Sequence, residues 1–242
     1  METLGRSKPA SNPSVPSLLG TTVRRTLTVG RLYLAIGAGI SLILTIILLT
    51  GARASTAFST TFPLEIPLFA VLGSTGALLT FTTDRTKGVL EYLIAYGVRS
   101  RTLFVNGLVS AVAMAAIILG LALLIGLGLA AGRGIEFTTD LVKSISLYTL
   151  PMTFAGAMFT VMVGMIWSSV STPRTGINSP VGIAPMVGIA PTILVLLVAE
   201  TAPSSDFYYI TGGAAAAIVV AVVGLLVLSA KLMGRERFLS PI

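Results

Sequence analysis

Two carboxylates and two cations share one short stretch, Asp84, Arg85, Lys87 and Glu91, and two further cations, Arg99 and Arg101, follow it. Groups of these types at this spacing exchange ion pairs with a neighbouring helix or a second protein. A third carboxylate, Glu65, stands between Pro63 and Pro67 in an otherwise apolar run, where it could gate a path or bind a cation. The alternative for Glu65 is a place at the outer interface, favoured by the dipole of a helix N-terminus. Other chemistry is excluded by what is missing, since the chain has no His, Cys or Gln. It cannot build a usual zinc site, an iron–sulfur cluster, a Ser-His-Asp triad or a disulfide. Nor can it build a phosphate-binding loop, because none of Lys8, Lys87, Lys143 and Lys231 follows a glycine.

The elements that position these groups are membrane spans. The chain has 242 residues, 54% hydrophobic and only 10% charged, with a mean hydropathy of +0.95. An ordinary soluble domain is roughly 45–50% apolar and 25% charged. Apolar runs occur at about 32–50, 63–82, 103–131, 145–167, 181–199 and 210–230. Each is long enough at about 1.5 Å per residue to cross roughly 30 Å of hydrocarbon, and in lipid each must be a helix. The expected fold is an all-α integral membrane protein with six spans in a single domain over 17–242. A net charge of +7 does not point to nucleic acid, because the cations are dispersed between the spans. With the N-terminus inside, thirteen cations fall on the cytoplasmic side, and only Arg53, Arg133 and Lys143 fall outside. That bias orients the chain with both termini in the cytoplasm of a cell whose plasma membrane it crosses. Twelve Arg to four Lys, with few Asn, would suit a thermophilic prokaryote.

Residues 1–16 are rich in Pro and Ser and read as a disordered tail. From 17 to 31, Leu18, Leu19, Val23 and Leu27 recur near helical spacing among Arg24, Arg25 and Arg31. This is either an interfacial helix or a basic patch that fixes topology. Ala52-Arg53-Ala54 has the form of a signal-peptidase site, but the run before it is too long for a secretory signal, and a retained first span is expected.

Between the second and third spans, Val89, Leu90, Leu93 and Ile94 form an apolar stripe at helical spacing, and Gly97 can end the helix in a left-handed conformation. A short amphipathic helix is predicted there. It either lies on lipid headgroups or receives a soluble partner that pushes on the spans.

At these residues the chain resembles the permease subunits of ATP-binding-cassette exporters of ABC type 2. Those commonly carry an acidic-basic cluster, Gly-Thr-Leu-Glu, apolar residues, a Pro and basic residues between their second and third spans. Here Asp84, Arg85 and Lys87 stand at the cluster, Gly88, Leu90 and Glu91 match, and Leu93 and Ile94 follow. Val89 replaces the usual Thr, Gly97 the usual Pro, and Gly107 a common Lys. The ending Arg235-Glu236-Arg237-Phe238-Leu239 is similar to the basic tail of such subunits. The resemblance implies a coupling helix over 84–101 seated in a cleft of a nucleotide-binding subunit, which would hold ATP and Mg. Glu91 and the early charges would pair with the partner or with the N-terminal interfacial helix. Leu90 and Leu93 would pack into the cleft, and Arg99 and Arg101 would lead into the third span. A second permease copy or a homologue is implied, with twofold symmetry the default.

Within the spans, Val181-Gly182-Ile183-Ala184-Pro185 is repeated as Val187-Gly188-Ile189-Ala190-Pro191. Pro185 and Pro191 are expected to kink or break the fifth span, either lining a path or easing a packing contact. Gly128 and Gly132, and the stripe Gly156, Thr160 and Gly164, are expected at close helix contacts. Met152, Met158, Met162, Met165, Phe154, Phe159 and Trp167 read as core packing or lipid contact. Three functions remain: the membrane subunit of an ATP-driven exporter of a lipophilic or amphipathic compound, an ATP-independent carrier or channel, and a membrane anchor for a soluble complex. The chain itself is expected to catalyse nothing.

Overall fold

Long apolar runs satisfy their backbone in lipid as helices, and a computed structural model is helical wherever regular structure occurs among the described residues, 15–50, 54–170, 179–201 and 207–232. The start of the tail, Arg53, Arg174, Asp206 and the basic ending at 235–239 lie outside these residues. The elements in order are α1 (Val15–Val29), α2 (Arg31–Thr50), α3 (Ala54–Thr86), α4 (Val89–Ala95) and α5 (Ser100–Gly132). They continue with α6 (Thr139–Ser144), a π-helical turn (Ile145–Thr149), α7 (Leu150–Val170), α8 (Pro180–Thr201) and α9 (Phe207–Leu232). Among the described residues, five stretches are long and apolar enough to cross a membrane: Arg31–Thr50, Phe58–Thr86, Ser100–Gly132, Thr139–Ser168 and Tyr209–Lys231. In α8 the apolar stretch is the shorter Val181–Val195. By length and composition the chain is a helical membrane protein.

The central helix is α3, which packs against α2, α5, α7 and α8. It starts well before the expected boundary at 63 and runs through both Pro63 and Pro67. Pro67 has no amide hydrogen, so the Pro63 carbonyl loses its helical donor. The Thr149 hydroxyl replaces it, donating to the Pro63 carbonyl at 2.8 Å from the π-helical turn. Helix α8 likewise continues through Pro185 and Pro191, so of the expected kink or break the break does not occur. The early start of α3 also removes the helix-dipole explanation for Glu65, which lies eleven residues beyond Ala54 and far from the first turn.

Glycines set several of the close approaches. Gly30, at the corner between α1 and α2, faces Gly76 of α3, where an added Cβ would come within 3.0 Å of the Gly76 Cα. The stripe on α7 packs as expected: Gly164 lies under Leu78, Gly156 under Val71, and Thr160 fills the space left by Gly188 of α8. Gly128 and Gly132 do not, since nothing lies within 4 Å of either Cβ position. On α5 the close contact is instead at Gly126, which receives the Phe62 ring. Met152, Met162 and Met165 are buried in the core, whereas Trp167 is exposed. At the far end from α4, the Arg133 guanidinium donates to the Leu49 carbonyl at 2.9 Å, satisfying one of the free acceptors at the end of α2.

Candidate functional site

The charged stretch folds into a compact turn of three helices. α3 ends at Thr86, and Gly88 takes φ +69°, a left-handed conformation that reverses the chain into α4. The Lys87 amide donates to Thr83 O at 3.1 Å and the Gly88 amide to Arg85 O at 3.0 Å, so two of the last four carbonyls of α3 are used. At the other end of α4, Gly97 takes φ +89°, as the sequence predicts. Its amide donates to Ile94 O and that of Val98 to Leu93 O, both at 3.0 Å, the pairing of a Schellman cap. Arg99 is then extended and α5 begins at Ser100.

One face of α4 turns inward. Leu90 and Ile94, one helical turn apart, are each 4% exposed and join Phe81, Leu103, Phe104 and Met165 in a core cluster. Leu93 and Val98 pack against the edge of that cluster. Leu90 therefore serves this chain's own core, and its side chain is not available to fill a partner's cleft; Leu93 is only partly so. The opposite face carries Tyr92 and Tyr96, 60% and 66% exposed, with ring centroids 4.4 Å apart. A hydrogen bond between the phenols, and then their mutual repulsion on ionising, hold Tyr92 above the usual tyrosine range. Lys87, just before α4, and Arg99 and Arg101, just after it, are exposed. The aromatic pair is what sequence reasoning missed, although its signal was present: two tyrosines four apart, out of phase with the Leu90 and Ile94 stripe.

α1 is a helix, and it braces this turn by packing across α3 and α5. Arg25 of α1 pairs with Asp84 of α3 at 2.5 Å. Arg85 lies within electrostatic range of Glu91. One Glu91 oxygen, Oε2, is buried with no hydrogen-bond partner. A cavity of about 50 Å³ lies beneath α1, bounded by Thr22, Thr26, Phe81, Asp84, Leu93 and Asn106 among others. A larger one of about 420 Å³ opens at the junction of α4 and α5, lined by Ile94, Gly97, Val98, Arg99, Ser100 and Arg101.

No protein-family model, curated protein or solved structure matches this chain. Asp84, Arg85, Lys87, Gly88, Leu90, Glu91, Leu93, Arg99 and Arg101 are gathered at one end of the bundle on α3, α4, α5 and the turns that join them. Glu65 lies farther along α3, half-buried, and Pro185 and Pro191 lie on α8. Pro185 is buried and Pro191 partly exposed. Among the described residues no group of three or more acidic side chains could hold a metal ion. Chemically, the α4 end offers a firm apolar anchor beneath an exposed aromatic pair, with exposed cations in the chain before and after the helix. That arrangement suits binding and the transmission of force.

Proposed function

We propose that this chain is the membrane-spanning permease subunit of an ATP-driven exporter. Six helices cross the plasma membrane, with α8 as the fifth span, and both termini are cytoplasmic. α4 is the coupling helix. It docks into a cleft of a separate nucleotide-binding subunit, which holds ATP and Mg and hydrolyses the nucleotide. A second copy of the permease or a homologue completes the path, and the cargo is a lipophilic or amphipathic compound.

The observation that carries this reading is the division of labour on α4. Leu90 and Ile94 fasten it to α3, α5 and α7 through the core, while Tyr92 and Tyr96 leave it. A displacement of α4 by a partner is thereby passed to three long helices at once. Exposed Tyr with flanking Arg is the composition of an interface centre.

The test is affinity purification of the tagged full-length chain in mild detergent, identification of co-purifying chains, and an ATPase assay. A stoichiometric ATPase is expected. The double variant Tyr92→Ala, Tyr96→Ala should weaken its association at least about tenfold while the permease stays monodisperse. Recovery of the permease alone in several mild detergents would sink the proposal and favour an ATP-independent carrier.

A further inference from the structure

Between 61 and 81, helix α3 is enclosed except along one line. From 61 to 81 the residues that remain partly open are Thr61, Leu64, Glu65, Leu68, Leu72 and Leu79. Their spacing of three, four and seven residues puts them on one side of the helix. On one flank of that line Phe69 and Gly73 meet Gly37 of α2, and on the other Val71 meets Gly188 of α8. α2 and α8 each pack against α3 but hardly touch each other. The line is the floor of a groove between them.

Glu65 is the one ionisable residue in that floor. It is half-buried, and among the described residues no cation comes within 4.0 Å of it. Its depth follows from the helix. Nineteen residues separate it from Asp84, whose pairing with Arg25 marks the polar boundary at the α4 end. At about 1.5 Å per residue that is about 29 Å, close to the roughly 30 Å of a hydrocarbon core. Glu65 thus sits at the opposite edge of the membrane, with Leu68, Leu72 and Leu79 leading inward from it. A carboxylate placed against apolar surroundings favours a counter-charge it can pair with.

We propose that the α2–α3–α8 groove binds lipophilic organic cations, with the Glu65 carboxylate pairing with the cationic head and the leucines receiving the apolar body. As a statement about cargo, this rests on the exporter reading above. As a binding site it stands without it. The chemistry excludes lipophilic anions, which would meet an uncompensated carboxylate.

The experiment is equilibrium binding of radiolabelled tetraphenylphosphonium to the full-length chain in nanodiscs, with binding to empty nanodiscs subtracted. Saturable binding is expected for the wild type. Glu65→Gln should weaken it at least about tenfold, and Glu65→Asp should keep most of it. Tetraphenylborate, of nearly the same shape and opposite charge, should bind Glu65→Gln no more weakly than wild type. Equal tetraphenylphosphonium affinity in wild type and Glu65→Gln, or no saturable binding to wild type, would overturn the proposal. The assay needs no ATPase, so the two readings fail separately. Binding without a co-purifying ATPase refutes the exporter alone, and an ATPase partner without cation binding refutes the groove alone.

Discussion

Leu90→Ala is the substitution that best tests how α4 is held. Leu90 is 4% exposed inside the cluster formed by α3, α5 and α7, so truncation removes its contacts and leaves a cavity. Buried Leu→Ala changes cost about 2–5 kcal/mol. α4 is only seven residues long and the residues that lead into it, 86–88, are exposed, so the surroundings can relax and the lower end, about 2–3 kcal/mol, is expected. Four amides report on that loss directly: Tyr92 bonded to Gly88 O, Tyr96 to Tyr92 O, Gly97 to Ile94 O and Val98 to Leu93 O. When exchange proceeds through local opening, a loss of about 2–3 kcal/mol raises its rate about 30- to 150-fold. Hydrogen exchange by mass spectrometry should show that acceleration over peptides covering 89–98, with α7 unchanged. Tyr92→Ala is the matched control. It removes a larger side chain, but one 60% exposed whose ring contact is with Tyr96 on the same solvent-facing side. It should accelerate the same amides about tenfold at most. Acceleration under about threefold in Leu90→Ala, or a larger effect in Tyr92→Ala, would refute the claim that the core anchors α4 through Leu90.

Two further outcomes follow from the backbone. Thr149→Val strips the Pro63 carbonyl of its donor and should cost about 1–3 kcal/mol in thermal unfolding, whereas in a Pro67→Ala background the restored amide supplies that bond and the same change should be nearly neutral. Additive losses in that double-mutant cycle would show that the hydroxyl is not compensating for the proline. Gly97→Ala should lower stability by about 1–2 kcal/mol although nothing lies within 4 Å of its Cβ position, because φ there is +89°. Gly120→Ala, equally uncrowded but within α5, should be neutral or stabilising, and an equal loss at both sites would remove the backbone explanation.

The apolar runs made α2, α5, α7 and α9 legible in the sequence, because a run of that length has no stable state in lipid other than a helix. Helix α3 was legible only in its second half. Pro63 looks like a boundary from within the chain, and the carbonyl that Pro67 leaves without a donor is satisfied by a hydroxyl 86 residues away. No local pattern contains that information. The same limit explains the glycines. Gly128 and Gly132 have the spacing of a packing motif yet meet nothing, while Gly126 is crowded because Phe62 of α3 happens to face it. Small residues permit a close approach, and only the neighbouring helix decides where one occurs.

The candidate site divides along the same line. Period 3.6 correctly grouped Leu90 with Ile94 and marked Gly97 as a stop, since both are properties of one helix and its cap. Whether the apolar face meets a partner or its own protein is not a property of α4, and for Leu90 the answer is the protein's own core. The consequence reaches beyond one residue. A helix of seven residues cannot hold its shape alone, so a surface built on it must use one face for attachment and the other for recognition. Once Leu90 and Ile94 are committed inward, recognition falls to Tyr92, Tyr96 and the cations beside them. Leu90 variants should then act by loosening the whole platform, and tyrosine variants by altering its surface, a difference that hydrogen exchange and partner binding together can resolve.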